Sequence, residues 1–208
     1  ITQSNKRAFS DLKQIMKTAY DLGSTYGQDY LSETSYSTVV DVLLNCLFCG
    51  TPAAIDRYMD KNAIEGGNIT RTILCQLESH IGDEPPTLKV ITPAQQQVID
   101  HTIEQLMAAT YQDETTMQPE VMLDTQWLEP AITKWCGERR VEALKSCSKA
   151  LDVFYKRSSV SAFRIACLCQ YLYQLEGKKD EKTIHKWVKQ IYLAMADYTL
   201  YNMISKWG

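Results

Sequence analysis

The sequence predicts a mainly α chain: a short α/β remnant of two strands, of parallel-sheet type, followed by a larger helical bundle. Three observations predict it. After about Pro119, apolar residues recur at helical spacing almost to the end of the chain. The run Ser37–Cys49 is nearly continuous in Val, Leu, Cys and Phe and is bounded by turn residues. That pattern suits a strand buried on both faces, with buried helix as the competing reading. The stretch ITRTILCQLES, residues 69–79, is β-branched and apolar enough for a second strand. The division that follows is residues 1–90 as the α/β remnant and 91–208 as a helical region with basic C-terminal helices.

Taken in order, a first helix runs from Ser4 or Ser10 to about Tyr20 on Phe9, Leu12, Ile15, Met16 and Ala19, and Gly23 stops it. LGSTYGQDYLSETSYS reads as a loop or irregular hairpin before the first strand. Thr51-Pro52 then gives an N-cap with proline at the first helical position, opening a short helix over AAIDRYMD. Gly66-Gly67-Asn68 precedes the second strand, and Pro85-Pro86 marks the loop after it. Thr92-Pro93 repeats the cap signal and opens a helix to about Tyr111, with Val98, Ile99, Ile103, Leu106 and Met107 on its apolar side. Four further helices are expected at roughly 120–135, 138–156, 159–175 and 181–206, broken at Gly137, at Ser158-Ser159 and at Gly177–Asp180. Two strands cannot easily bury a sheet by themselves. Together with a start at Ile1 that enters a helix-like segment directly, this leads us to expect a piece of a longer protein.

Composition excludes several classes. Of 208 residues, 45% are hydrophobic, 10% aromatic and 23% charged, so a disordered or low-complexity chain is ruled out. No apolar run approaches the length of a membrane span, and the first residues lack the basic-then-apolar order of a secretory signal. Seven cysteines, an odd number, then suggest reduced thiols and a cytoplasmic protein with no membrane partner. Charge is divided unevenly. Residues 1–133 hold 8 Lys/Arg against 18 Asp/Glu, whereas residues 134–208 hold 14 against 7. A basic C-terminal third can contact nucleic acid or can simply dock against acidic helices.

Chemistry is marked by what is missing. There is no G-x-x-x-x-G-K-[ST] phosphate loop, G-x-S-x-G elbow or H-E-x-x-H pair. His80, His101 and His185 are far apart and read as surface or half-buried residues. The acidic pairs Asp83-Glu84 and Asp113-Glu114 read as solvated loop charges. Cys46 and Cys49 would point to opposite faces of a strand, and Cys167 and Cys169 diverge on a helix. Structural, buried cysteine is therefore the expectation, and no metal set is complete. A free-standing enzyme with a site of its own is disfavoured, because no nucleophile–base pair is readable.

What remains is an arrangement. A buried strand ends at Cys49-Gly50-Thr51-Pro52, a helix follows, and Gly66-Gly67-Asn68-Ile69-Thr70-Arg71 opens the next strand. Ligands bind α/β folds at the carboxyl ends of parallel strands, where Asn45 or Thr51 could sense a nucleotide phosphate. An arginine after a glycine-rich loop could reach a phosphate on a neighbouring subunit. The plainer alternatives are that Thr51 caps the next helix and Arg71 pairs with a nearby acid.

LLNCLFCGTPAAIDRYM followed by GGNITRTIL resembles the second half of the P-loop ATPase module in a family of primase–helicase-like proteins of bacterial mobile elements and phages. In that family a strand ends in a G-T-P step, a helix follows, and a G-x-x-[ST]-R segment opens the next strand. Gly50-Thr51-Pro52 and Gly67 with Thr70-Arg71 match these elements. FSDLKQIMKTAYDLG, with Tyr20-Asp21, is similar to the family's helix after the acidic strand. FYKRSSVSAFRIACLCQYL is similar to its R-x-x-x-x-x-x-R-x-A pattern through Arg157, Arg164 and Ala166. Asn68 and Thr72 depart from the pattern, where an apolar and an aromatic residue are usual.

The resemblance implies the C-terminal part of a nucleic-acid-dependent ATPase, helicase- or primase-associated and serving mobile-element DNA replication. Thr51, or else Asn45, would be the phosphate sensor and Arg71 a finger acting on the adjacent protomer of a homo-oligomeric ring. Arg157 and Arg164 would contact nucleotide or DNA backbone. ATP and Mg²⁺ would be bound by the parent, and this fragment alone would bind neither and not hydrolyse ATP. DNA, single-stranded rather than duplex, would be the partner. The alternative is a non-catalytic helical module for DNA or protein. In it Trp135, Phe154, Tyr155, Phe163, Tyr171, Tyr173 and Trp187, interleaved with basic residues, would either stack on bases or fill the core.

Overall fold

The computed structural model describes residues 25–28, 38–41, 47, 49–58, 71–75, 82, 90–110 and 121–207. The first expected helix, Asn45, Cys46, Gly66-Gly67-Asn68, His80, and the pairs Asp83-Glu84 and Asp113-Glu114 lie outside them. Within the described residues the chain is mainly helical: α1 (Pro52–Tyr58), α2 (Pro93–Thr110), α3 (Glu129–Ser146), α4 (Lys149–Glu176) and α5 (Glu181–Trp207). A 3-10 turn at Gln126–Leu128 leads into α3.

The parallel two-stranded remnant is not shown among the described residues. β1 (Thr25–Gln28) and β2 (Thr38–Asp41) pair antiparallel instead, with Thr25 opposite Asp41 and Gln28 opposite Thr38. β2 falls inside the expected first strand, and β1 falls inside the stretch read as a loop or hairpin. Past β2, Leu47, Cys49 and Gly50 are not in a strand, and Leu47 is 90% exposed. Arg71–Cys75, expected in the second strand, forms a turn followed by irregular backbone. The Leu74 carbonyl accepts a hydrogen bond from the Asn202 side-chain amide rather than from a strand neighbour. A β-branched apolar segment therefore docks here without entering a ladder.

Both cap signals are realised. The Thr51 carbonyl accepts from the Ala54 and Ile55 amides at 2.9 and 3.0 Å, and Pro52 takes the first helical position, where no N–H is needed. At α2, Thr92 and Gln95 form a reciprocal capping box. The Gln95 amide donates to Thr92 Oγ1 at 3.3 Å, and the Thr92 amide donates to Gln95 Oε1 at 3.0 Å.

The four expected C-terminal helices are three. Gly137 lies inside α3, and Ser158 and Ser159 lie inside α4, both buried. The two serines bring α4 against α5, Ser158 at Met203 and Ser159 at Tyr192, rather than ending a helix, while Gly137 is exposed and α3 runs through it. The break instead falls at Cys147, which adopts a left-handed conformation, φ 51°. Its amide and that of Ser148 return to the carbonyls of Leu144 and Ala143 as a C-terminal cap, and Ser148 Oγ then caps α4 by accepting from the Leu151 amide. The second break matches expectation: Gly177, φ 65°, ends α4. Asp180 starts α5 by accepting from the Thr183 amide at 3.0 Å and the Thr183 hydroxyl at 2.8 Å.

The four-residue link makes α4 and α5 an antiparallel pair, with α3 laid against α4. Ser158, Ser161, Ala162 and Ala166 form a low surface on α4 against which Tyr192, Ala196, Leu200 and Met203 of α5 pack. Tyr192 and Met203 are 0% exposed, each a burial stabilising by roughly 1.5–3 kcal/mol. Polar bonds fix the three helices in register. Ser159 Oγ and the Tyr192 hydroxyl share a hydrogen bond of 2.9 Å, Cys136 Sγ lies 3.4 Å from Ser159 Oγ, and Trp135 Nε1 donates to Asp197 Oδ1 at 2.8 Å. Among the described residues no helix is long and apolar enough to cross a membrane.

Candidate functional site

Thr51 stands exposed at the head of α1. Its Oγ1 lies 3.4 Å from the Ala54 amide, so the capping role read from the sequence is the contact its hydroxyl makes. Arg71 begins the turn that carries Thr72, Ile73 and Leu74, and these four are half-buried, although the sequence placed Arg71 at the opening of a strand. Asn45, the other sensor candidate, lies outside the described residues.

The segments bearing Thr51 and Arg71 are both held by the last two turns of α5. Lys206 Nζ reaches Asp56 Oδ1 of α1 at 2.6 Å, and Asn202 Nδ2 donates to the Leu74 carbonyl at 2.9 Å. Residues four apart lie on one face of a helix, so Asn202 and Lys206 present a single edge to both segments. The sequence reading missed these two residues. A signal was there: an amide and a lysine at i, i+4 in the otherwise apolar tail TLYNMISKW. Lys206 and Asp56 side chains are 30% and 52% exposed, a surface pair worth at most about 1 kcal/mol. The half-buried amide bond is the more specific of the two.

Arg157 and Arg164 project from α4, the first half-buried and the second exposed. Seven residues separate them, two helical turns or about 10 Å on one face. They thus come to the bundle by α4, while the Thr51 and Arg71 segments come to it by α5.

The aromatic residues divide differently from a base-stacking platform. Trp135, Phe154 and Tyr155 are buried, and Phe163, Tyr171, Tyr173 and Trp187 are half-buried. Trp187 is tilted against Tyr173 at 5.4 Å, with Lys179 over its ring at 5.7 Å. His185 stacks on Trp127, ring centroids 4.0 Å apart and planes within 12°, with Glu181 Oε1 3.7 Å from its Nε2. Half-buried histidine was the expectation there. His101 is exposed on α2.

Buried cysteine, by contrast, needs correction. Cys49, Cys75 and Cys147 are exposed, and Cys136, Cys167 and Cys169 are half-buried. Cys49 was placed inside because it was assigned to a buried strand, and it lies in irregular backbone instead. Partial burial pushes the Cys167 and Cys169 thiols up, which keeps them protonated and weakly nucleophilic. Among the described residues no group of three His, Cys, Asp or Glu could hold a metal ion. The chain matches no protein-family model, no curated protein and no solved structure.

Proposed function

We propose that this chain is the C-terminal part of a nucleic-acid-dependent P-loop ATPase of the primase–helicase type, with its helical region acting as lid and nucleic-acid-facing element. The observation that carries the reading is the shared edge of α5. The two described segments with family-like residues, Gly50-Thr51-Pro52 with α1 and Arg71–Cys75, are tied to one helix through Lys206–Asp56 and Asn202–Leu74. A lid that must respond to nucleotide needs mechanical contact with the sensing and finger segments, and α5 has contact with both.

In this reading the Thr51 and Arg71 segments are carboxyl-end loops of the parent's sheet. Thr51 senses the terminal phosphate, and Arg71 stabilises charge on the transferring phosphoryl group of an adjacent protomer. The parent's own P-loop and acidic strand supply the phosphate cradle and Mg²⁺ site, and this chain supplies neither. DNA is the macromolecular partner. Its backbone is met by cationic side chains, because most interleaved aromatics are committed to packing.

Nucleotide turnover by the parent carrying Arg71→Ala tests the reading. Turnover falls about 10³-fold or more while nucleotide affinity stays within about threefold, since a finger acts on the transition state. Unchanged turnover removes the role.

A further inference from the structure

Some charged side chains on the helical region have an opposite charge in reach. Arg139 meets Glu142 at 2.8 Å, Lys156 meets Asp152 at 2.6 Å, and Lys178 meets Glu176 at 3.0 Å. The first half of α5 carries a row of three cations that do not. Lys182, Lys186 and Lys189 are exposed and have no carboxylate partner among the described residues. Their spacing, i, i+4 and i+7, puts them on one face, about 6 and 4.5 Å apart along the axis. Ile184, Val188 and Tyr192 hold the other side of the helix in the core. Between Lys182 and Ala196 there is no acidic residue, so every neighbour of these lysines three or four positions away is cationic or neutral.

This arrangement opposes helix stability twice. Like charges at i, i+4 repel, and cations near a helix N-terminus face the positive end of its dipole. The two nearby carboxylates are engaged elsewhere. Asp180 caps the helix through Thr183, bonds that hold its carboxyl below the ordinary range, and Glu181 faces His185. A row of cations that repel one another and lack internal partners suits a ligand with regularly repeated negative charge.

We propose that Lys182, Lys186 and Lys189 form a phosphate track for a nucleic-acid backbone along the outer face of α5. The assignment rests on the nucleic-acid reading above and locates the contact on α5 rather than at Arg157 and Arg164 of α4. A membrane surface fits less well, because no large apolar side chain is exposed between Leu168 and Tyr198 to enter a bilayer beside the lysines. The same α5 that carries the track ends on Asn202 and Lys206, so bound backbone and nucleotide motifs load one helix from its two ends.

The test is fluorescence anisotropy of the 208-residue chain with a labelled 30-nucleotide single strand, titrated with salt. The variant Lys182→Gln/Lys186→Gln/Lys189→Gln is compared with a control of equal charge, Lys134→Gln/Lys145→Gln/Lys149→Gln, and with Lys182→Arg/Lys186→Arg/Lys189→Arg. Far-UV circular dichroism checks that each keeps its helix content. The track predicts at least about tenfold weaker binding for the α5 glutamine variant and a log–log salt slope shallower by about 2. It predicts less than about threefold change for the control and near-complete retention with arginine. If the wild type binds and the two glutamine variants weaken equally, or the α5 variant binds unchanged, the track is overturned while nucleic-acid binding stands. If the wild type binds no oligonucleotide even at low salt, or binds phosphatidylserine vesicles more tightly, the nucleic-acid reading itself falls and the track with it.

Discussion

The Asn202 side-chain amide donates to the backbone carbonyl of Leu74 at 2.9 Å across 128 residues of chain. Leu74 is half-buried and lies three residues beyond Arg71, so this bond sets where the arginine's segment meets the helical region. One turn on, Lys206 fixes α1 through Asp56. The end of α5 therefore couples two segments that both lie more than a hundred residues before it.

Asn202→Ala removes the donor and leaves the Leu74 carbonyl half-buried without it, at a cost of about 1 kcal/mol. The expected result is faster amide hydrogen exchange over residues 71–75 with little change in α4. Unaltered exchange there would show that the bond does not hold the segment. Lys206→Ala has the smaller effect, because its partner is half exposed.

Tyr192 gives the bundle a pH dependence of known sign. Burial pushes its phenol up to about 12, partly offset by the bond to Ser159. Above pH 10 the unfolded chain gives up this proton while the folded chain keeps it. Stability fully present below pH 10 is therefore lost as the pH rises toward 12, by about 2 kcal/mol from this group. Tyr192→Phe costs about 1 kcal/mol at pH 7, because Ser159 loses a partner, and removes this part of the alkaline slope. Denaturant unfolding at pH 8 and 11 compares the two, and parallel losses in both proteins would contradict the assignment.

Cys147 holds a left-handed backbone conformation at the end of α3, in an exposed position. Glycine adopts that conformation without a Cβ penalty, so Cys147→Gly raises stability by about 0.5–1 kcal/mol. A lower denaturation midpoint would mean that the thiol contributes more than the strain costs.

Much of the helical region was legible because capping chemistry and apolar period act locally. Thr51-Pro52, Thr92-Pro93, Gly177 and Asp180 each fix a helix end through bonds to neighbours within a few residues. Ser158-Ser159 misled for the opposite reason. Their low helix propensity signals a break only where tertiary packing does not reward small size, and α4 rewards it against Tyr192 and Met203. Gly137 is exposed with open space around it, and α3 runs through it. A true break at Cys147 carried no glycine to announce it. The same ambiguity affected residues 71–75, since β-branched apolar residues suit a docked turn as well as a strand, and a distant side-chain donor such as Asn202 leaves no local pattern.

Of the candidate residues, Thr51 and Arg71 were singled out by motif, and Arg157 and Arg164 by the R-x-x-x-x-x-x-R-x-A pattern. The edge formed by Asn202 and Lys206 was not, because its partners are one backbone carbonyl and one surface carboxylate distant in sequence. The lysine row was visible as net charge but not as a face. Its meaning depends on which side of α5 is buried, and Ile184, Val188 and Tyr192 decide that.

The proposed reading as the back part of a P-loop ATPase is put to the test by sequencing the coding DNA upstream of Ile1 over about one domain length, ~150 codons. An in-frame G-x-x-x-x-G-K-[ST] loop followed by an acidic strand is the expected result. A start codon within a few residues of Ile1 would contradict it and leave a helical module without an ATPase.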